Sequence, residues 1–127
     1  MKRITIFVLI ISLASIFTLN SFAQSTKAFT FSIDGTEITI TSEENISSDF
    51  AFEIAEKVLN GNNAVAKGVY CDNFGHSYVS SIAKTTTHKV YTTAPRCVKK
   101  IYSVKTCSVC GYQTKTLTSS TRINCCS

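Results

Sequence analysis

Eight side chains that bind soft or borderline metal ions lie in the second half of this 127-residue chain: Cys71, His76, His88, Cys97, Cys107, Cys110, Cys125 and Cys126. They are all of its cysteines and histidines, and none precedes residue 71. The sharpest pattern is Cys107-Ser-Val-Cys110-Gly111. Two thiolates at C-x₂-C spacing can grip one tetrahedral Zn²⁺, with a turn between them aiming both sulfurs inward. A glycine after the second cysteine eases the backbone where it reverses into a following strand. A second C-x₂-C pair is absent, so the remaining ligands must come from elsewhere. Cys97, Cys71, His76 and His88 compete for those places, and Cys71-x₄-His76 forms a compact pair.

Geometry restricts the choice. If residues 97–107 form one straight strand, Cys97 and Cys107 lie about 33 Å apart at about 3.3 Å per residue and cannot share an ion. If the chain turns near Val98–Ile101, with Lys99-Lys100 at the tip, Cys97 folds back toward Cys107 and Cys110. The straight arrangement groups Cys97 instead with Cys125 or Cys126. His88, among threonines, also reads as an exposed strand histidine.

Two other uses of the cysteines compete with metal. Six cysteines in a small exported domain match a disulfide framework, in which Cys97, Cys125 and Cys126 are candidate partners. Cys125 and Cys126 are adjacent and would each need a separate partner. A thiol–disulfide oxidoreductase would need its C-x-x-C to open a helix in an α/β frame, whose N-terminus lowers the thiol pKa. Here Gly111–Thr116 favours strand and no βαβ pattern surrounds it. No carboxylate stands out as an orienter for a Cys–His nucleophile. The expectation is therefore a protein that is not an enzyme, with zinc as a closed structural site.

The elements that must position these residues are β-rich. Tyr78, Val79, Ile82, Thr85–Thr87 and Val90–Thr93, then Val98–Thr106 and Tyr112–Ile123, carry strand-forming residues without a helical period, and Pro95 is the only proline. Upstream, Phe29, Phe31 and Ile33 alternate, Asp34-Gly35 follows, and Ile38 and Ile40 continue in register. That is a hairpin pattern with a type I′ turn. Ser47, Ser48 or Asp49 can cap a helix that Gly61 ends, with Phe50, Ile54 and Val58 on one face beside Ala51, Ala55 and Leu59. This face is expected to cover the hairpin. A ligand pocket formed by Phe50, Phe52 and Phe31 is the alternative. The fold class expected is α+β: a ββα unit over 24–63, then an all-β module over 64–127 that is zinc-ribbon-like or disulfide-stapled.

The run Cys97-x₉-Cys107-x₂-Cys110-Gly111-Tyr112 resembles Cys-knuckle repeats of surface and secreted bacterial proteins, which carry an upstream His, a Cys, a hairpin and a CxxCG. It departs from them in having no glycine within Val98–Ile101. The wider block of Cys71, Phe74-Gly75-His76, Thr87-His88-Lys89-Val90-Tyr91, Ala94-Pro95-Arg96-Cys97, Cys107-x₂-Cys110-Gly111-Tyr112 and Cys125-Cys126 resembles a group of small exported bacterial proteins of uncharacterised function. This resemblance implies a Cys/His structural module and no activity.

Residues 1–23 read as a secretory signal. Lys2 and Arg3 precede an apolar run from Ile4 to Leu19, and Ser21-Phe22-Ala23 gives the small-x-small pattern before Gln24. The mature chain then has no transmembrane segment. Charge divides it: residues 24–70 carry three lysines against seven carboxylates, whereas residues 71–127 carry eight basic side chains against Asp72 alone. Such asymmetry suits either docking between halves or binding of an anionic partner. Export makes nucleic acid a poor candidate. An anionic cell-wall or membrane-surface component is a better one.

Overall fold

The computed structural model describes residues 25–61 and 69–124. Residues 1–23, expected to be a signal segment, lie outside the described residues with Cys125 and Cys126, as do Asn62 and Asn63 at the boundary expected between the two units. Among the described residues, five strands and two helices follow in the order β1 (Lys27–Ile33), β2 (Thr36–Ser42), α1 (Ser48–Asn60), α2 (Val69–Phe74), β3 (Tyr78–Thr87), β4 (Cys97–Cys107) and β5 (Gln113–Ile123). The strands form one antiparallel sheet in sequence order, β1-β2-β3-β4-β5. The architecture is mixed α+β.

Local chemistry fixes the first elements. Asp34 and Gly35 both take positive φ, at 48° and 75°, as a type I′ turn requires. β1 and β2 then pair from Lys27↔Ser42 to Ile33↔Thr36. Ser47 caps α1, its Oγ accepting from the Phe50 N–H at 3.2 Å, and Gly61 ends the helix at φ 79°. Ala51, Ile54, Ala55 and Val58 form the buried face of α1 and pack on Ile38, Ile40, Ala83 and Val104 of the sheet. Phe31 and Phe50 pack against this core. Phe52 is exposed and meets Phe31 edge-on, with centroids 5.3 Å apart. The phenylalanines therefore belong to the packing of α1 on β1.

β2 pairs with β3 from Thr36↔Thr87 to Thr41↔Ile82. The sheet thus runs without a break from the hairpin into the Cys/His half, where the sequence suggested a separate all-β module. β3 ends at Thr87, and residues 88–96 form a turn-rich loop where the sequence reads as strand to Thr93. Arg122 holds this loop: its guanidinium donates to the carbonyls of Pro95 and Thr93, both at 3.0 Å, and lies 4.0 Å over the Tyr91 ring. β4 is extended from Cys97 to Cys107, so the turn considered near Val98–Ile101 does not form. A bulge at Ile101/Tyr102 shifts the β4–β5 register. Among the described residues, no helix is long and apolar enough to cross a membrane.

Candidate metal centre

At the end of the sheet where β3 begins and β4 turns into β5, four candidate ligands converge. Cys71, His76, Cys107 and Cys110 have ligand atoms that all lie within 4.8 Å of one another. Two segments supply them. Cys71 sits on the short helix α2. Gly75, at φ 83° and with its N–H bonded to the Cys71 carbonyl at 2.9 Å, ends that helix and leads into His76 just before β3. Cys107 is the last residue of β4, and Cys110 lies in the tight turn before β5.

Backbone hydrogen bonds hold the two segments in place. Within the knuckle, the Gly111 N–H donates to the Cys107 carbonyl at 2.9 Å, and the Cys107 N–H donates to the Tyr112 carbonyl at 2.8 Å. The Ser108 N–H and Oγ both donate to the Ser77 carbonyl, at 2.9 and 3.3 Å, tying the knuckle to the segment that carries His76. From the other side, Lys57 of α1 donates to the Gly111 carbonyl at 2.7 Å while paired with Glu53 at 2.5 Å. The His76 ring contacts both Tyr78 and Tyr112, each with its centroid 5.3 Å away and tilted by 30°. Neither the Glu53–Lys57 support nor the paired tyrosines were expected from the sequence. The i,i+4 spacing of Glu53 and Lys57 reads equally well as an ordinary exposed helix pair.

The distances suit a metal ion. The sulfurs of Cys71 and Cys107 are 3.6 Å apart, and the Cys110 sulfur is 3.3 Å from Nδ1 of His76. Two sulfurs about 2.3 Å from a tetrahedral zinc ion are separated by about 3.8 Å, and a sulfur–nitrogen pair by slightly less. Cys71 and Cys107 are buried, and His76 and Cys110 are half-buried. The cluster is therefore largely withdrawn from water.

The two buried thiols are driven apart electrostatically. Burial pushes Cys71 up to about 12, reinforced by its hydrogen-bond contacts with Cys110 and Cys107 and by their charge. Burial also acts upward on Cys107. There it is outweighed by the backbone N–H groups of Cys110 and Val109 and the side chains of His76 and Cys110, which bring Cys107 down to about 5. At neutral pH, Cys107 is a ready thiolate and Cys71 keeps its proton until a cation displaces it.

The other expected ligands lie elsewhere. Cys97 begins β4, at the opposite end of the strand from Cys107, which removes it from the cluster. Its sulfur is 3.6 Å from Nδ1 of His88, an exposed residue in the 88–96 loop. Among the described residues, the free thiols are Cys71, Cys107 and Cys110. The C-x₂-C pair lies in a β-hairpin turn and does not open a helix.

Gly111 gives a local test. Its φ of 71° is disfavoured for any residue with a Cβ, and an added Cβ would meet Nζ of Lys57 and Oε1 of Glu53. Those are flexible side-chain ends, so the backbone conformation dominates the cost. Gly111→Ala is expected to lower stability by about 1–2 kcal/mol. It should also weaken metal retention, read by thermal unfolding and by competition with a chromogenic chelator.

No family model matches the chain, and no curated protein or solved structure matches it.

Proposed function

We propose that this is an exported protein without enzymatic activity, in which Cys71, His76, Cys107 and Cys110 hold a structural zinc ion. The observation carrying this reading is the convergence of three thiols and one imidazole from two chain segments, with all four ligand atoms within 4.8 Å of one another. Three sulfur donors and one nitrogen favour zinc over hard cations, which prefer oxygen. Four protein ligands fill a tetrahedral zinc, leaving no position for a reactive water. Binding through Nδ1 leaves Nε2 of His76 to carry the proton. The signal-like residues 1–23 support export, as does the resemblance of the Cys/His block to small exported bacterial proteins.

The reading extends to one disulfide, between Cys97 and either Cys125 or Cys126. Two observations support it. Cys97 stands outside the metal cluster, and it pairs across the sheet with Ile123, two and three residues before the candidate partners. An oxidising compartment favours such a bond.

Elemental analysis and a thiol count test both parts. Protein purified without chelator is expected to hold one zinc per chain. After denaturation in chelator, four of the six cysteines should titrate as thiols. No zinc together with no free thiol would overturn the metal site and leave a disulfide framework.

Acid should reverse loading. Cys107 lies below its ordinary 9.0, so its thiolate contributes fully above that value, and the contribution is lost as pH falls through about 5. Cys71 lies above its ordinary value, so its favoured form is the thiol, and metal binding must expel that proton. Zinc addition at pH 7 is therefore expected to release protons, measurable with a pH indicator in weak buffer. Zinc should dissociate on acidification, as protons compete for the thiolates. Loading without proton release would contradict the assignment of Cys71 as a ligand.

A further inference from the structure

The sheet is open, and its two edges differ. Among the described residues, β1 and β5 each pair on one side only. An unpaired edge is a template for another strand, and edges that stay single carry bulges, prolines or cations. β5 has a bulge and cations. Thr118 has no residue opposite it, since Tyr102 pairs with Leu117 and Ile101 with Ser119, and Lys115 and Arg122 stand on the strand. β1 is less protected. Its pairing with β2 runs without a register shift, it contains no proline, and its one charge is Lys27 at the first position. The Lys27 ammonium donates to the side-chain carbonyl of Asn45.

The hairpin turn fixes which backbone groups of β1 are free. Across a two-residue type I′ loop, Ile33 and Thr36 exchange both backbone bonds, so Phe31, Phe29 and Lys27 also turn theirs toward β2. Thr30 and Thr39 are then a non-hydrogen-bonded pair, whose side chains lie close, and their hydroxyls are 2.9 Å apart. Ala28, Thr30 and Ser32 therefore aim their N–H and C=O groups outward, and all three residues are exposed. On the α1 side of the same strand, Phe29, Phe31 and Ile33 are only half-buried. Phe52 of α1, 44% exposed, meets Phe31 there.

We propose that β1 pairs antiparallel with β1 of a second copy of this chain, across a two-fold axis at Thr30. In that register Thr30 faces Thr30 of the second copy and Ala28 faces Ser32, both as hydrogen-bonded pairs. Every outward backbone group of these three residues is then used. Phe29 faces Phe31 of the second copy as a close, non-hydrogen-bonded pair, so the half-buried rings gain cover from aromatic neighbours. No like charges oppose. Lys27 faces Ile33 of the second copy, one residue from Asp34, so each end of the interface brings a cation beside a carboxylate. Backbone phase, apolar side and charge thus match in one self-complementary register, as an isologous interface requires. One strand pair is a small interface, so association is expected to depend on concentration. It does not rest on the metal reading, since β1 lies at the far edge of the sheet from β4 and β5.

Sedimentation equilibrium of the purified protein is expected to show a reversible monomer–dimer equilibrium, and denaturant without reductant should yield monomer. Thr30→Lys sets a cation against its own copy at the axis and should weaken association at least tenfold. Thr116→Lys, the same change in charge on the exposed β5 edge, should alter it less than about twofold. Thr30→Pro removes an outward N–H and spares the bonds to β2, a position where an edge strand tolerates proline. It should weaken association as Thr30→Lys does. Amide exchange in the unaltered protein keeps the test open if a variant fails to fold. The N–H groups of Ala28, Thr30 and Ser32 are expected to exchange at least tenfold more slowly at dimer-forming concentration than in the monomer. A monomer at every concentration would overturn the proposal. So would a dimer that Thr116→Lys weakens as much as Thr30→Lys, one that persists in denaturant as a cysteine cross-link, or one that leaves those three amides fast.

Discussion

Replacing Cys107 by serine is expected to abolish zinc binding and cooperative folding of the Cys/His end. Cys107 is fully buried, is the lowered thiol of the cluster, and sits where β4 turns into β5 while pairing with Tyr78 at the start of β3. Its loss removes a candidate ligand and leaves a buried hydroxyl among sulfurs. In small zinc domains, structural zinc contributes on the order of 10 kcal/mol of binding free energy. A whole domain is stable by only about 5–15 kcal/mol. Thermal unfolding followed by circular dichroism should therefore show a broad or absent transition, with zinc content near zero. His88→Ala is the matched control: it replaces a histidine outside the cluster and is expected to keep full zinc content. A Cys107→Ser protein with unchanged zinc stoichiometry and melting would remove the cluster from consideration as a metal site.

The second large effect is expected at Ile54, which tests the packing that supports the site. Ile54 is fully buried between α1 and the sheet, and its carbonyl accepts from Nε2 of Gln113 at 3.3 Å, next to the knuckle. Gln113 also donates to Oγ1 of Thr106 at 3.0 Å, so α1, β4 and β5 meet at one buried amide. Ile54→Ala is expected to cost about 3 kcal/mol, through lost burial and the cavity left behind. In a domain of this size that corresponds to a fall in melting temperature of roughly 15 °C. Zinc stoichiometry below the transition should stay at one. Loss of zinc in the cold, folded variant would mean that α1 shapes the ligand cluster directly. An unchanged melting temperature would mean that α1 does not pack as described.

The parts of this architecture legible in the sequence are those set by neighbours along the chain. Asp34-Gly35 specifies its turn through positive φ, and Ser47 with Gly61 brackets α1 by capping. Cys71-x₄-His76 and Cys107-x₂-Cys110 were both readable as ligand pairs because each is local. Their union was not, since it depends on β3 pairing with β4 so that Tyr78 faces Cys107. Cys97 shows the same limit. Its separation from the cluster depends on whether 98–101 turns or extends, and no glycine or proline there announces either outcome. α2, at six residues, is too short to show a helical period. The continuity of the sheet was hidden for a related reason. β2 and β3 are both rich in threonine, and their pairing register cannot be read from either strand alone.

The strand order carries a consequence for how the molecule assembles. Each strand pairs with its neighbours in sequence, so no part of the sheet waits for a distant segment to complete a crossover. Pairings that close short loops form quickly, and here only β2–β3, which brackets both helices, closes a long one. A chain emerging N-terminus first can therefore build this sheet vectorially, one hairpin onto the last. Capture of a metal ion by the cluster would be the exception. Cys71 and His76 emerge early and must wait for Cys107 and Cys110, which arrive only when the fourth strand is complete. A bound ion would thus close the assembly late, clasping Cys71 and Cys107 across a sequence separation of 36.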